Sequence, residues 1–211
     1  MKPNQSAFDV GQLAKDMADG YCAHSAAMTV VGRLDEQTLR RVAWLKDPTG
    51  SAPCKDGNEW LFNLRDFLQL TTTRPAIADE LPLVWLAGSM IRLGDALERN
   101  GYFDRAPVLE LVRHLRNGIA HGNRFNILDP DKLKKFPAHN RDVWPKRPNN
   151  PATFEIKHGL DGQRVLFDFM KAGDVLELLG YVSLHLKRIG NGQPLQPPTN
   201  VILHWPPSEK I

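Results

Sequence analysis

The stretch Pro107-Val-Leu-Glu-Leu-Val-Arg-His-Leu-Arg-Asn-Gly-Ile-Ala120, followed by His121-Gly-Asn123, decides how this chain is read. Val108, Val112, Leu115 and Ile119 recur at steps of four, three and four. At ~100° per residue that repeat places them in one apolar stripe of an α-helix. Pro107 suits the first helical turn, where its missing N–H costs nothing, and Gly122 is a stop signal. A core helix over residues 107–120 is the anchor of the fold prediction.

Outward from this helix the same period recurs. Residues 82–99 read as the preceding helix, opened by Pro82 and stopped by Asn100-Gly101. Phe8 to Val31 reads as a long first helix through Leu13, Met17, Tyr21, Met28 and Val31, with Gly11 and Gly20 lowering its propensity. Glu36 to Leu45 and Glu59 to Leu70 read as two further helices, the second carried by Trp60, Leu64, Phe67 and Leu68, with a break over residues 47–53. Downstream, residues 129–151 form a Pro-rich basic surface insertion holding Lys132, Lys134, Lys135, Arg141, Lys146 and Arg147 around Phe136 and Trp144. Thr153–Lys157 and Arg164–Phe169 alternate apolar and polar residues about Gly159-Leu-Asp-Gly162, which predicts a β-hairpin over residues 153–169. Asp174 with Glu177 reads as the capping signal of a last amphipathic helix ending near Gly190. The expected fold is mainly α, an up-and-down antiparallel helical bundle with a small β-hairpin insertion, spanning residues 1–192, with an extended Pro-rich tail over residues 193–211.

Composition narrows the function classes. At 211 residues the chain can bury one substantial core. Apolar and charged fractions of 42% and 24% are ordinary globular values, which suggest neither a disordered nor a fibrous class. A net charge of +3 permits a polyanionic partner without demanding one. Cys22 and Cys54 are far apart, with no His at zinc-finger spacing, so neither a disulfide framework nor a metal or other cofactor is expected, and two free thiols suit the cytoplasm. Met1-Lys-Pro-Asn-Gln-Ser6 has no apolar signal core and no apolar run reaches spanning length, so a cytoplasmic protein with no membrane association is expected. No Gly-rich phosphate loop or nucleophile elbow is present.

The polar residues that gather where the central helix stops are Arg116, Asn117 and His121. Asn117 and His121 are four apart, so their side chains can touch. Arg116 lies at the margin of the apolar stripe, roughly 140° from His121 on a regular helix. One straight helix cannot aim both at one atom. Either the helix ends near residues 118–122, or a second subunit completes the site. Two readings of the constellation stand side by side: a structural one, with Arg116 neutralised by a carboxylate and His121 set against the helix C-terminus, and a chemical one.

Arg116-Asn-Gly-Ile-Ala-His121-Gly122 resembles the motif of the HEPN superfamily, helical domains named for higher eukaryote and prokaryote nucleotide binding, whose nuclease members carry Arg, then a polar residue, then His after a short gap. The resemblance covers the motif and its helical setting, residues 82–122 plus the final helix; the Pro-rich insertion and the hairpin depart from it. It implies a bundle that commonly dimerises so that two motifs meet. It also implies, in the active members, a metal-independent endoribonuclease with a toxin or phage-defence role and an antitoxin or other neutralising partner. Other members are non-catalytic modules that bind a partner protein or nucleotide. RNA cleavage by its own 2′-hydroxyl needs a proton acceptor, a proton donor for the leaving 5′-oxygen, and a cation on the phosphate. His121 would serve as acid or base, Arg116 as phosphate clamp, and Asn117 would orient the imidazole. Arg113, His114 and Arg124 are the flanking substrate-binding candidates, weighed against plain solvation of a helix surface. Phe136 and Trp144 could stack bases or simply pin the insertion.

Overall fold

The computed structural model describes residues 3–31, 37–38, 49–63, 66, 70, 73–103, 106–143 and 153–193. The chain divides into two compact units, residues 1–21 with 83–211, and residues 22–82. The helix expected over residues 36–45 lies outside the described residues apart from 37–38, and the one expected over 59–70 apart from 59–63, 66 and 70; Trp144 and the tail after residue 193 lie outside them as well.

The larger unit is mainly helical. It contains the first part of α1 (Gln5–Val31), most of α2 (Pro75–Arg99), α3 (Pro107–Ala120), the short α4 (Pro130–Lys135), one 3-10 turn (His158–Leu160) and α5 (Ala172–Gly190). α1 runs antiparallel to α5. Phe8 lies against Gly190, and Gly11 lies against Leu186 and Ser183. The same helix runs antiparallel to α2: Gly20 meets the Trp85 ring, while Tyr102, just beyond α2, donates from its hydroxyl to Asn4 Oδ1 at 3.3 Å. Gly11 and Gly20, which weaken the helix locally, are thus contact points. A Cβ on Gly11 would lie 3.0 Å from the Ser183 carbonyl oxygen, so the low propensity accompanies close packing of two backbones.

In α3 the core is assembled as the periodicity predicts. Of the series expected in α1, Met17 is buried and Leu13, Tyr21 and Met28 are half-buried, the helix packing instead through Ala7, Val10, Ala14 and Ala18. Val108, Val112, Leu115 and Ile119 of α3 are buried, together with Leu86, Met90, Leu93 and Leu97 of α2 and Val175, Leu178, Leu179, Val182 and Leu186 of α5. Leu109, Glu110 and Leu111 are buried as well. The start of α3 is therefore covered on more than its stripe, because the chain after α4 folds back onto it, with His139 N–H donating to the Pro107 carbonyl at 3.1 Å. The expected stop after α2 is a pair of reverse bonds, Tyr102 N–H to Leu97 O and Gly101 N–H to Glu98 O, each 3.0 Å. α2 itself begins at Pro75, so Pro82 lies inside it. α5 begins at Ala172, and Asp174 sits in its first turn, where its carboxylate accepts from the Lys171 N–H at 2.9 Å. Asp174 caps the helix from within rather than preceding it.

The predicted hairpin over residues 153–169 does not form. Its two arms pair with other segments. Ile156 N–H donates to Ala138 O, and Asn140 N–H to Phe154 O, while Phe125 N–H donates to Gln163 O and Val165 N–H to Asn123 O. The alternation was real, since Ile156, Val165 and Met170 are buried. The partners were non-local strand-like segments that short-range patterning cannot identify.

Among the described residues the paired hairpin lies in the smaller unit. β1 (Thr49–Pro53) pairs antiparallel with β2 (Glu59–Asn63), from Thr49 opposite Asn63 to Pro53 opposite Glu59. This corrects the helix expected from residue 59. Trp60 and Phe62 sit two residues apart and stack at 5.4 Å between ring centroids, which is strand rather than helix geometry. The turn uses Asp56-Gly57: Gly57 has φ 85° and Asp56 Oδ1 accepts from Asn58 N–H at 3.1 Å. Those hydrogen bonds from Asn58 hold the Asp56 carboxyl below its usual range.

Candidate functional site

Arg116 is placed by two features of α2. Gly94 provides the space: a Cβ there would fall 2.5 Å from Arg116 Cγ and 2.8 Å from its Cβ, so the arginine stem lies directly across the glycine. Asp95, the next residue, accepts from Arg116 Nε at 2.9 Å and from Nη2 at 2.6 Å through one oxygen. Nη1 donates to Asn117 Oδ1 at 3.1 Å. Glu98 Oε2 lies 4.0 Å from Nη2. The guanidinium is about one-third exposed, its side chain at 30%, with one N–H on each terminal nitrogen left to reach a ligand.

His121 is set differently. α3 ends at Ala120, and His121 is its C-cap with φ −100° and ψ 39°. The helix stops within residues 118–122, one of the two geometries the sequence left open. His121 is exposed, and among the described residues its imidazole makes no hydrogen bond or ion pair. The side-chain bond that the four-residue spacing allows between Asn117 and His121 is not formed: Asn117 Oδ1 accepts from Arg116 instead, and the two residues are joined only through the backbone, His121 N–H donating to the Asn117 carbonyl at 3.1 Å. Beyond His121 the chain reverses through two residues of positive φ, Gly122 at 82° and Asn123 at 62°. Asn123 is held there by its own side chain, which accepts from Leu166 N–H at 2.8 Å and donates to Leu166 O at 3.3 Å.

Gly118, between Asn117 and His121, is buried and has a packing role that the sequence pattern does not reveal. A Cβ there would meet Val165 Cγ2 at 2.5 Å and the Arg124 carbonyl oxygen at 3.0 Å. The two strand-like segments cross α3 at this residue, and Arg124 N–H donates to Gly118 O at 2.9 Å.

The flanking candidates are largely engaged within the fold. Arg113 donates to the buried Glu110 at 3.0 Å and lies over the Phe103 ring at 5.5 Å from its centroid. His114, weighed as a solvated surface residue, is half-buried instead. Burial, with Arg113 and Lys132 nearby, pushes its pKa down to about 4, so it is neutral at pH 7 and offers no charge to a phosphate. Arg124 is exposed and gives one N–H to the Gly162 carbonyl at 2.7 Å. Phe136 carries the Lys135 ammonium over its ring at 5.2 Å.

The residues the sequence reading missed are Asp95 and Gly94. Their signal is a Gly-Asp pair inside a helical period, which marks a close approach only when the facing residue is known. Among the described residues no group of three His, Cys, Asp or Glu side chains is placed to share a metal ion, and no helix is long and apolar enough to cross a membrane. Comparison with family models, curated proteins and solved structures finds no match for this chain.

Proposed function

We propose that this chain is a metal-independent endoribonuclease of HEPN type that cleaves RNA through its 2′-hydroxyl. The observation that carries the proposal is the contrast within one motif: a guanidinium fixed by Gly94, Asp95 and Asn117, and an exposed imidazole without a partner among the described residues at the end of the same helix. A fixed cation suits a phosphate clamp, and an exposed imidazole free of internal bonds can reach a substrate oxygen to give or take a proton. In the proposed reaction the 2′-oxygen loses its proton to a base and attacks phosphorus. The P–O5′ bond breaks, and the leaving 5′-oxygen takes a proton from an acid, giving a 2′,3′-cyclic phosphate and a 5′-hydroxyl. His121 is one of the two proton carriers, and Arg116 neutralises charge on the non-bridging oxygens. A homodimer supplies the second carrier, bringing His121 of one protomer towards Arg116 of the other. The cytoplasm, a toxin or phage-defence role and a neutralising partner complete this reading.

One observation favours a second reading, a non-catalytic module that binds a partner protein or nucleotide. Asp95 pairs with Arg116 and Glu98 stands close by, so much of the charge a phosphate would seek is already offset. Incubating the protein with mixed RNAs in the presence of chelator separates the two. Cleavage that leaves cyclic phosphate ends and disappears in His121→Ala is the expected result. Intact RNA with wild-type protein at every concentration, or cleavage undiminished in His121→Ala, refutes the nuclease.

A further inference from the structure

The segments that cross α3 at Gly118 bring a second arginine to the motif. Arg124 and Arg164 are directly opposite each other in an isolated antiparallel bridge. The bonds on either side, Phe125 N–H to Gln163 O at 2.9 Å and Val165 N–H to Asn123 O at 3.0 Å, hold that register. Residues opposite one another in an antiparallel pair share a face, and like charges placed there repel. A carboxylate would normally offset the repulsion. Here none does. Arg164 is exposed and makes no hydrogen bond or ion pair among the described residues, and Arg124 contributes only one N–H, to Gly162 O. Neither acidic residue of the same loop forms an ion pair with either guanidinium: Asp161 accepts from Ile127 N–H at 2.8 Å, and Asp168 makes no ion pair.

The bridge is fastened to the motif. Arg124 N–H donates to Gly118 O at 2.9 Å, and Gly118 lies between Asn117 and His121 in the last turn of α3. The backbone of the bridge is therefore fastened three residues before His121, and its two exposed arginines share one face, where an anion would offset their repulsion. Arginine pairs of this kind match the non-bridging oxygens of a phosphodiester. We infer that Arg164 and Arg124 form a phosphate-binding pair that takes the backbone of a single RNA strand next to His121. This inference rests on the endoribonuclease reading for the identity of the polyanion, and on the bridge alone for the site.

The test is fluorescence anisotropy with a labelled single-stranded RNA and the 2′-deoxy strand of the same sequence, using wild type, Arg164→Gln and Arg164→Lys across 50–200 mM salt. For Arg164→Gln, affinity for both strands should fall about 5- to 10-fold at the low-salt end, and the slope of log K against log salt should shrink by roughly 0.7, one phosphate contact. Arg164→Lys, which keeps the charge, should restore the slope. The deoxy strand lacks the attacking hydroxyl, so binding is read independently of cleavage. Failure of the nuclease reading shows as intact RNA with wild type, and leaves the slopes to judge the arginine pair. Unchanged affinity and slope in Arg164→Gln, weaker binding with an unchanged slope, or no binding of either strand by wild type would each overturn the pair.

Discussion

Alanine at Gly94 and alanine at Gly88 are the same chemical change in the same helix, and the structure gives them opposite signs. Each replaces a helical glycine and gains about 0.8–1 kcal/mol of helix propensity. Gly88 has nothing within 4 Å of the new methyl, so that gain should appear in full. At Gly94 the methyl would stand 2.5 Å from Arg116 Cγ and 2.8 Å from its Cβ. Those atoms are the root of the side chain and cannot swing away as a flexible tip would, so either α2 and α3 separate or Arg116 leaves its rotamer. Overpacking of this sort costs about 1–3 kcal/mol. The propensity gain is common to both variants, so the difference between them isolates the clash. Gly94→Ala should be less stable than Gly88→Ala by about 1–3 kcal/mol, or roughly 2–12 °C at ~2–4 °C per kcal/mol for a chain of this size. Parallel thermal melts at fixed protein concentration measure it. Equal melting temperatures, or a higher one for Gly94→Ala, would mean that Arg116 does not lie across Gly94 and would remove the basis for its placement.

Other outcomes follow from the same contacts. Asn123→Ala loses both bonds to Leu166 and leaves a Cβ-bearing residue at φ 62° without its local support; urea unfolding should show a loss of about 2–3 kcal/mol, with Asn123→Gly recovering about 1 of it. His114 has a folded-state pKa of about 4 against 6.5 for the ordinary group. Between those values the unfolded chain binds the proton first, so stability contributed by the neutral imidazole is present above pH 6.5 and is lost as pH falls towards 4, by roughly 1–3 kcal/mol. Wild type should accordingly lose more stability over that window than His114→Gln, and parallel pH profiles would refute the burial argument. The Arg116–Asp95 pair is partly exposed, at 30% and 43%, so Asp95→Asn should cost no more than about 1 kcal/mol in thermal melts. If Arg116 meets RNA, the same variant should raise RNA affinity, because a competing carboxylate charge has gone; unchanged affinity in the filter-binding titration favours Arg116 as a purely structural tie.

What the sequence determined by itself was the helical class and the face that α3 buries, because that information is local. A stripe such as Val108, Val112, Leu115 and Ile119 needs only the 3.6-residue period to be read, and it is buried as expected. The cluster of Arg116, Asn117 and His121 at a helix end was legible for the same reason, as was the helix stop that frees His121 from the regular helix. Pairing was not legible. Residues 153–169 carry strand alternation, yet their partners are Ala138, Asn140 and residues 123–125. The hairpin formed instead at 49–63, around the Asp56-Gly57 turn. Alternation says which face of a segment is buried, and nothing about what lies beside it. The same limit applies at the site. That Arg116 would be neutralised was one of the alternatives in view, but choosing Asp95 as the partner, Gly94 as the gap it crosses and Arg164 as the neighbour of Arg124 required residues 21, 22 and 40 positions apart to be brought together, and only tertiary packing of the helices and loops does that.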